Sequence, residues 1–208
     1  MTSPDEQSKR PSSRGPGSTT TRRRLLRAAA ELIAEVGWGR VTTRAVAERA
    51  GLPHGTVSYH FRGKQELLIE AALAMIEQAF SLEELQQLQS VADVLQITAA
   101  RITDLDAVDP VLSELAIEAM LEARHNPMLR ERMAAMTREF RRLLIELIAA
   151  EQEHGAISDN APPAALATLI FAAGDGLFLN AMLDPELDVN QALDGLRTLL
   201  QGRPDPGP

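Results

Sequence analysis

The stretch from Thr42 to Lys64, TTRAVAERAGLPHGTVSYHFRGK, constrains this chain more tightly than any other part of it. Two short helices that cross at a tight turn need a small side chain where their axes approach. They also need a residue that tolerates left-handed backbone where the first helix ends. Ala47 stands at the first of these places and Gly51 at the second. Val46, Ala50 and Val57 supply the apolar contact that the two helices share. Counted from Thr43, the small residue is fifth, the glycine ninth and the apolar residue fifteenth, which is the general helix-turn-helix spacing.

The distribution of charge agrees with an anion-binding module at this end. A formal net charge of -8 argues, taken alone, against nucleic acid. It hides a division: residues 1–64 carry 12 Lys and Arg against 5 Asp and Glu, whereas residues 65–208 carry 9 against 24. A basic segment on an acidic body suggests a phosphate-facing unit joined to something else. The absence of cysteine removes disulfides, thiolate zinc sites and cysteine nucleophiles, and fits a reducing cytoplasm. No early segment pairs a basic start with an apolar run, so no signal peptide is expected. The longest apolar run, around Ala164–Gly174, is interrupted by Thr168. It falls well short of the roughly 20 residues a membrane helix needs, so a soluble, cytoplasmic protein without a membrane partner is expected.

Periodicity predicts an all-α chain. Strand-like alternation is absent, and helical spacing recurs from Ser18 onward. Residues 1–17, rich in Ser, Pro and Gly with Lys9, Arg10 and Arg14, read as a disordered basic arm, either a plain tail or one that reaches a minor groove. The first helix is expected over about Thr19–Val36, capped by Ser18 and ended by Gly37. Short helices follow at about Thr43–Ala50 and His54–His60, then a longer one at about Lys64–Phe80. Residues 82–103 read as one or two helices with a break near Ser90. Further helices are expected at Asp109–Arg124, Met128–His154, Ala164–Leu183 and Val189–Gln201. On the longest of these, Leu129, Met133, Met136, Phe140, Leu143 and Leu147 step along one face.

The residues around the turn resemble those of the tetracycline-repressor (TetR) family. The first helix ends at Gly37, and there follow Thr42-Thr43, Val46-Ala47, Ala50-Gly51, Gly55-Thr56, Tyr59-His60-Phe61, Lys64 and Leu67-Leu68, all at the family's offsets. The resemblance covers about residues 20–80. It implies a helix-turn-helix DNA-binding domain over residues 18–64, with a linker helix to about 80, and an effector-binding and dimerisation domain over residues 65–203. It also implies roles. Thr43 and Arg44 would meet phosphates, Arg44 also being within reach of a base. His54, Gly55 and Thr56 would start the recognition helix and face base edges. Tyr59 and His60 would contact the backbone, and Lys64, beside a helix N-terminus, would hold a phosphate. Thr43 can equally be an N-cap, and His60 a structural hydrogen-bonder. Arg22, Arg23 and Arg24 form either a solvated face or an added attraction for phosphates. Two positions depart from the family. Pro53 replaces the usual Ser or Thr cap, so that hydrogen bond must come from elsewhere, and Ser58 stands where Tyr is common.

The implied partners are an operator in double-stranded DNA, a second copy of the chain and an unidentified small-molecule effector. The helix at Ala164–Leu183 is apolar nearly all round, which suggests pairing with a second copy, a buried core helix in a monomer being the alternative, and the resemblance implies that the last two helices form the dimer interface. Asp175 is a lone carboxylate within it that could meet a cationic ligand, a helix end or an Arg across the dimer. Met75, Met120, Met133, Met136 and Phe140 read either as an adaptable cavity lining or as ordinary core. An enzyme is not expected. There is no nucleotide-binding glycine loop, and Ser158-Asp159-Asn160 lacks a Ser-x-x-Lys partner, Lys9 and Lys64 being the only lysines. His54, His60, His125 and His154 have no ligand-like spacing, so neither metal nor cofactor is expected. A DNA-binding architectural protein, or an activator, without an effector is the alternative.

Overall fold

The computed structural model describes residues 16–79, 81–104 and 110–201, and its regular elements are all helical. They are α1 (Pro16–Val36), a 3-10 turn (Trp38–Arg40), α2 (Thr43–Arg49), α3 (Gly55–His60), α4 (Lys64–Ala79), α5 (Leu82–Gln86), α6 (Val91–Thr103), α7 (Pro110–Ala123), α8 (Pro127–Glu153), α9 (Pro163–Leu183) and α10 (Val189–Gln201). The basic arm read from the sequence lies, apart from its last two residues, outside the described residues. So do Phe80, Asp109 and the tail after Gln201.

Local chemistry sets most of the boundaries. α1 opens at Pro16, so Ser18 is not the cap but stands inside the first turn. Proline suits such a start because its φ is already helical and its missing N–H would have no partner there. The break near Ser90 separates two helices through a capping box: Ser90 Oγ accepts from the Asp93 N–H at 3.1 Å, and Asp93 Oδ2 accepts from the Ser90 N–H at 3.0 Å. Asn126 caps α8 by accepting from the Leu129 N–H at 3.2 Å, with Pro127 just inside.

Two apolar cores result. The first gathers Leu25 and Ile33 of α1, Val46 of α2, Val57 of α3 and Leu67 and Leu68 of α4, and it continues into Leu115 and Ala119 of α7 and Leu129 of α8. The second joins Val91, Val94 and Leu95 of α6 to Leu144 and Ile148 of α8, Ile170 of α9 and Leu193 of α10. The face read along α8 is therefore buried at Leu129, but burial passes to Leu144 and Ile148 further on, leaving Phe140, Leu143 and Leu147 half-buried. A stripe that repeats every seven residues drifts about 20° per heptad around a straight helix.

Where the two parts meet, Glu70 of α4 accepts from Arg22 of α1 at 3.0 Å and from Arg132 of α8. Partial burial pushes its carboxyl up, but the two guanidiniums outweigh that and hold it below the usual carboxylate range.

Helix α9 is longer as an apolar element than the sequence reading allowed. By length and composition it is sufficient to cross a membrane, and only 11% of its apolar window is buried within the chain. Leu169, Leu179 and Leu183 on α9 and Leu199 on α10 are exposed. Asp175 sits among them with no hydrogen-bond or ion-pair partner among the described residues, and loss of hydration raises its carboxyl above the usual range. A carboxylate in mid-helix is costly in hydrocarbon, which argues against lipid as the cover for this face.

Ile33, fully buried at the centre of the first core, should be among the costliest positions to truncate. Ile33→Ala is expected to lower the unfolding free energy by about 2–5 kcal/mol, read as a shifted urea midpoint.

Candidate nucleic-acid interface

The turn between α2 and α3 is held by caps at each step. Thr42 Oγ1 accepts from the Ala45 N–H at 3.1 Å, so the cap of α2 is Thr42 and not Thr43, whose half-buried hydroxyl lies in the first turn. At the other end Gly51 adopts φ +62°, and the Leu52 N–H donates to the Ala47 carbonyl at 2.9 Å. Arg24 of α1 reaches over and donates to the Ala50 carbonyl at 2.5 Å. Arg49 forms a two-pronged pair with Glu35 of α1 at 2.6 and 2.7 Å, which lowers the Glu35 carboxyl and fixes α2 in orientation. The basic run on α1 is thus partly structural: Arg24 caps α2, Arg22 pairs with Glu70, and exposed Arg23 has no ion-pair partner among the described residues.

Helix α3 begins without a side-chain cap, as Pro53 requires. The substitute is a turn in which the Thr56 N–H donates to the Pro53 carbonyl at 2.9 Å. Val57 and Phe61 are buried beneath the helix, and this turns His54, Gly55, Ser58 and Tyr59 outward. Tyr59 is 81% exposed, with its ring edge-on to His60 at 5.0 Å. Thr56 and His60 are half-buried, and Arg44 projects from α2 into solvent. An aromatic hydroxyl exposed to this degree above a buried Val and Phe is unlike a core residue and suits contact with a polar partner.

Lys64 opens α4 and donates from Nζ to the Gly39 carbonyl at 2.9 Å, which holds its ammonium against the 3-10 turn. The Arg62 N–H is accepted by Glu66 at 2.6 Å. Trp38, buried in the first core, donates from its indole to Gln65 at 3.4 Å and from its backbone N–H to Glu118 of α7 at 3.0 Å. The contacts of Glu118, Glu70 and Arg24 had no local signal in the sequence, because their partners lie 80, 48 and 26 residues away. Thr42 was legible, being the residue just ahead of a helix start.

In the body, α5, α6 and α8 enclose a groove of about 290 Å³. Leu88, Val94, Phe140, Leu143 and Leu147 line it, with Gln86 and Glu146 as its polar groups. Of the five candidate lining residues read from the sequence, only Phe140 reaches this groove. Met75 is in the first core and Met120 is exposed. No cluster of three or more His, Asp or Glu among the described residues is placed to hold a metal ion.

Residues 25–71 match the pattern of bacterial regulatory proteins of the tetR family, and residues 91–203 match the C-terminal pattern of BetI-type transcriptional repressors. A stretch of 52 residues is 44% identical to the class A tetracycline repressor protein from transposon 1721 of Escherichia coli. It covers 25% of this chain and 24% of that protein, so the match spans about a quarter of the relative's length. Among solved structures, SmeT in complex with triclosan superposes with a TM-score of 0.71 at 24% identity, covering 91% of this chain and 99% of that one. A TetR-family regulator from Cytophaga hutchinsonii superposes with a TM-score of 0.77 at 15% identity, covering 92% and 100%. Identities this low show the shared fold.

A Cβ at Gly51 would force a side chain into left-handed backbone and lie 3.2 Å from the Arg24 guanidinium. Gly51→Ala is therefore expected to cost about 1–2 kcal/mol of stability, measured by urea unfolding, while α-helical circular dichroism at 25 °C is retained.

Proposed function

Because the chain belongs to the TetR family of bacterial regulatory proteins, we propose that it is a dimeric repressor that reads a palindromic operator and releases it when a small molecule binds the body. The observation that carries this reading is the exposed face of α3. Val57 and Phe61 anchor that helix while His54, Gly55 and Tyr59 stand clear of the protein. In this reading His54, Gly55 and Thr56 meet base edges, and Thr43, Arg44, Tyr59, His60 and Lys64 meet the sugar-phosphate backbone. Lys64 combines a positive charge with the N-terminus of α4, an arrangement that favours an anion.

A second copy of the chain is the proposed cover for the exposed Leu169, Leu179, Leu183 and Leu199. Two-fold pairing through α9 and α10 would remove this surface from water and set two α3 helices for an inverted repeat. The groove at Phe140, Leu143 and Leu147 supports a predominantly apolar effector, and SmeT, which shares the fold, was solved with triclosan. Effector and operator then oppose each other reciprocally, each favouring a different arrangement of body and reading helices. The proposed role needs no catalytic residue and no cofactor, and it places the protein in the cytoplasm.

Selection of bound duplexes from a random DNA pool tests the proposal. An enriched inverted repeat is expected, whereas weak binding to all sequences that disappears with salt would sink it. Joint replacement Thr56→Ala and Tyr59→Ala should abolish preference for the selected repeat while the protein still sediments as a dimer. Lys64→Gln should weaken every sequence alike and reduce the slope of log affinity against log salt by about 1, read by fluorescence anisotropy.

A further inference from the structure

Among the described residues, a continuous polar connection runs from the end of the recognition helix to the body. The Arg22 guanidinium of α1 lies 5.2 Å from the centroid of the Phe61 ring, the residue that closes α3. This is within cation–π range. The same guanidinium donates to Glu70 Oε2 at 3.0 Å, and the other oxygen of Glu70 accepts from Arg132 of α8. Four elements thus meet at one carboxylate: α3 through its closing ring, α1 through Arg22, α4 through Glu70 itself and α8 through Arg132.

We propose that Glu70 is a positioning residue for DNA binding, holding the recognition helix in register with body helix α8 through Arg22 and Arg132. The inference rests on the reading of α3 as the DNA-contacting helix. Its chemistry follows from the acceptor count. A carboxylate offers two charged oxygens, one to each guanidinium, and no neutral side chain of the same size can do this. Without Glu70, Arg22 and Arg132 would leave two like charges facing each other at the joint. Arg132 also stands two turns before Phe140, about 12 Å along the same rigid helix from the groove. A shift of α8 at the groove therefore reaches Glu70 without passing through solvent. The three side chains are part-exposed, so the cluster adds little to overall stability and acts chiefly on orientation.

The test is a cycle of Arg132→Met made in the natural chain and in Glu70→Gln, read in two ways. The first is amide hydrogen exchange over residues 55–61 in the DNA-free protein. Arg132→Met should speed it about fivefold in the natural chain and leave it within about twofold in the Glu70→Gln background. The second is affinity at 25 °C for the duplex selected above, which should fall about fivefold with an unchanged salt slope, again only where Glu70 is present. Exchange in α3 that ignores Arg132→Met, or effects of equal size in both backgrounds, would overturn the proposal. Faster exchange with unaltered affinity would overturn it too. A loss of thermal stability alone, without either change, would mark the cluster as merely structural and overturn the positioning role. Failure of the natural chain to bind any duplex would strike the DNA-binding reading instead, and the exchange measurement would then decide this one.

Discussion

A helix of six residues cannot sustain itself in water, because closing its first turn fixes several dihedral angles for a single hydrogen bond. Helix α3, Gly55–His60, is of that length, and everything that makes it a helix comes from outside it. Val57 and Phe61 sink into a core centred on α1 and α4. The turn before it is set by the left-handed Gly51 and by the Pro53 carbonyl that receives the Thr56 N–H. The turn's other neighbour, α2, is held to α1 by Arg24 and by the two-pronged Arg49–Glu35 pair. With its anchors all on one side, the helix presents the opposite side freely, and that opposite side is the proposed reading surface.

The same dependence links the reading head to the body. The first core does not stop at α4 but includes Leu115, Ala119 and Leu129 from α7 and α8. Polar contacts follow the same joint, with Glu118 on the Trp38 N–H and Arg132 on Glu70. A head that shares its core with the body cannot swing as a separate bead. A change in the body can therefore be felt at α3 through packed side chains and hydrogen bonds, in the manner expected of a ligand-responsive regulator. The body has an opposite problem on its far side, where α9 and α10 present leucines to solvent around Asp175, which has no partner among the described residues. Only another surface of matching shape relieves that exposure, and a two-fold copy is the simplest one available.

Much of this was legible beforehand wherever the controlling interaction is local. Gly51 marks a left-handed turn and Ser90 marks a break between helices, because each acts on backbone groups within four residues. The outward set on α3 was legible too, since Val57 and Phe61 are the apolar members of a short helix and the remaining side chains must point away from them. Legibility failed where neighbours in space are remote in the chain. The basic run on α1 looked like one surface, yet Arg22 and Arg24 have separate structural partners at Glu70 and Ala50. The methionines could be read as a cavity lining or as ordinary core, and packing decided between them: Met75 lies in the first core, Met133 and Met136 pack against it, and Met120 is exposed.

What the sequence by itself determined is the all-helical class, the order of the helices, the helix-turn-helix and the family, because period, caps and turn residues are properties of short segments and survive without knowledge of the rest. What only the tertiary structure decided is which side of each long helix is truly inside, which arginines are committed to partners, and which elements converge on Glu70 and Trp38. Those outcomes depend on how α1, α4, α7 and α8 cross, and crossing is settled by the summed packing of many side chains far apart in the chain.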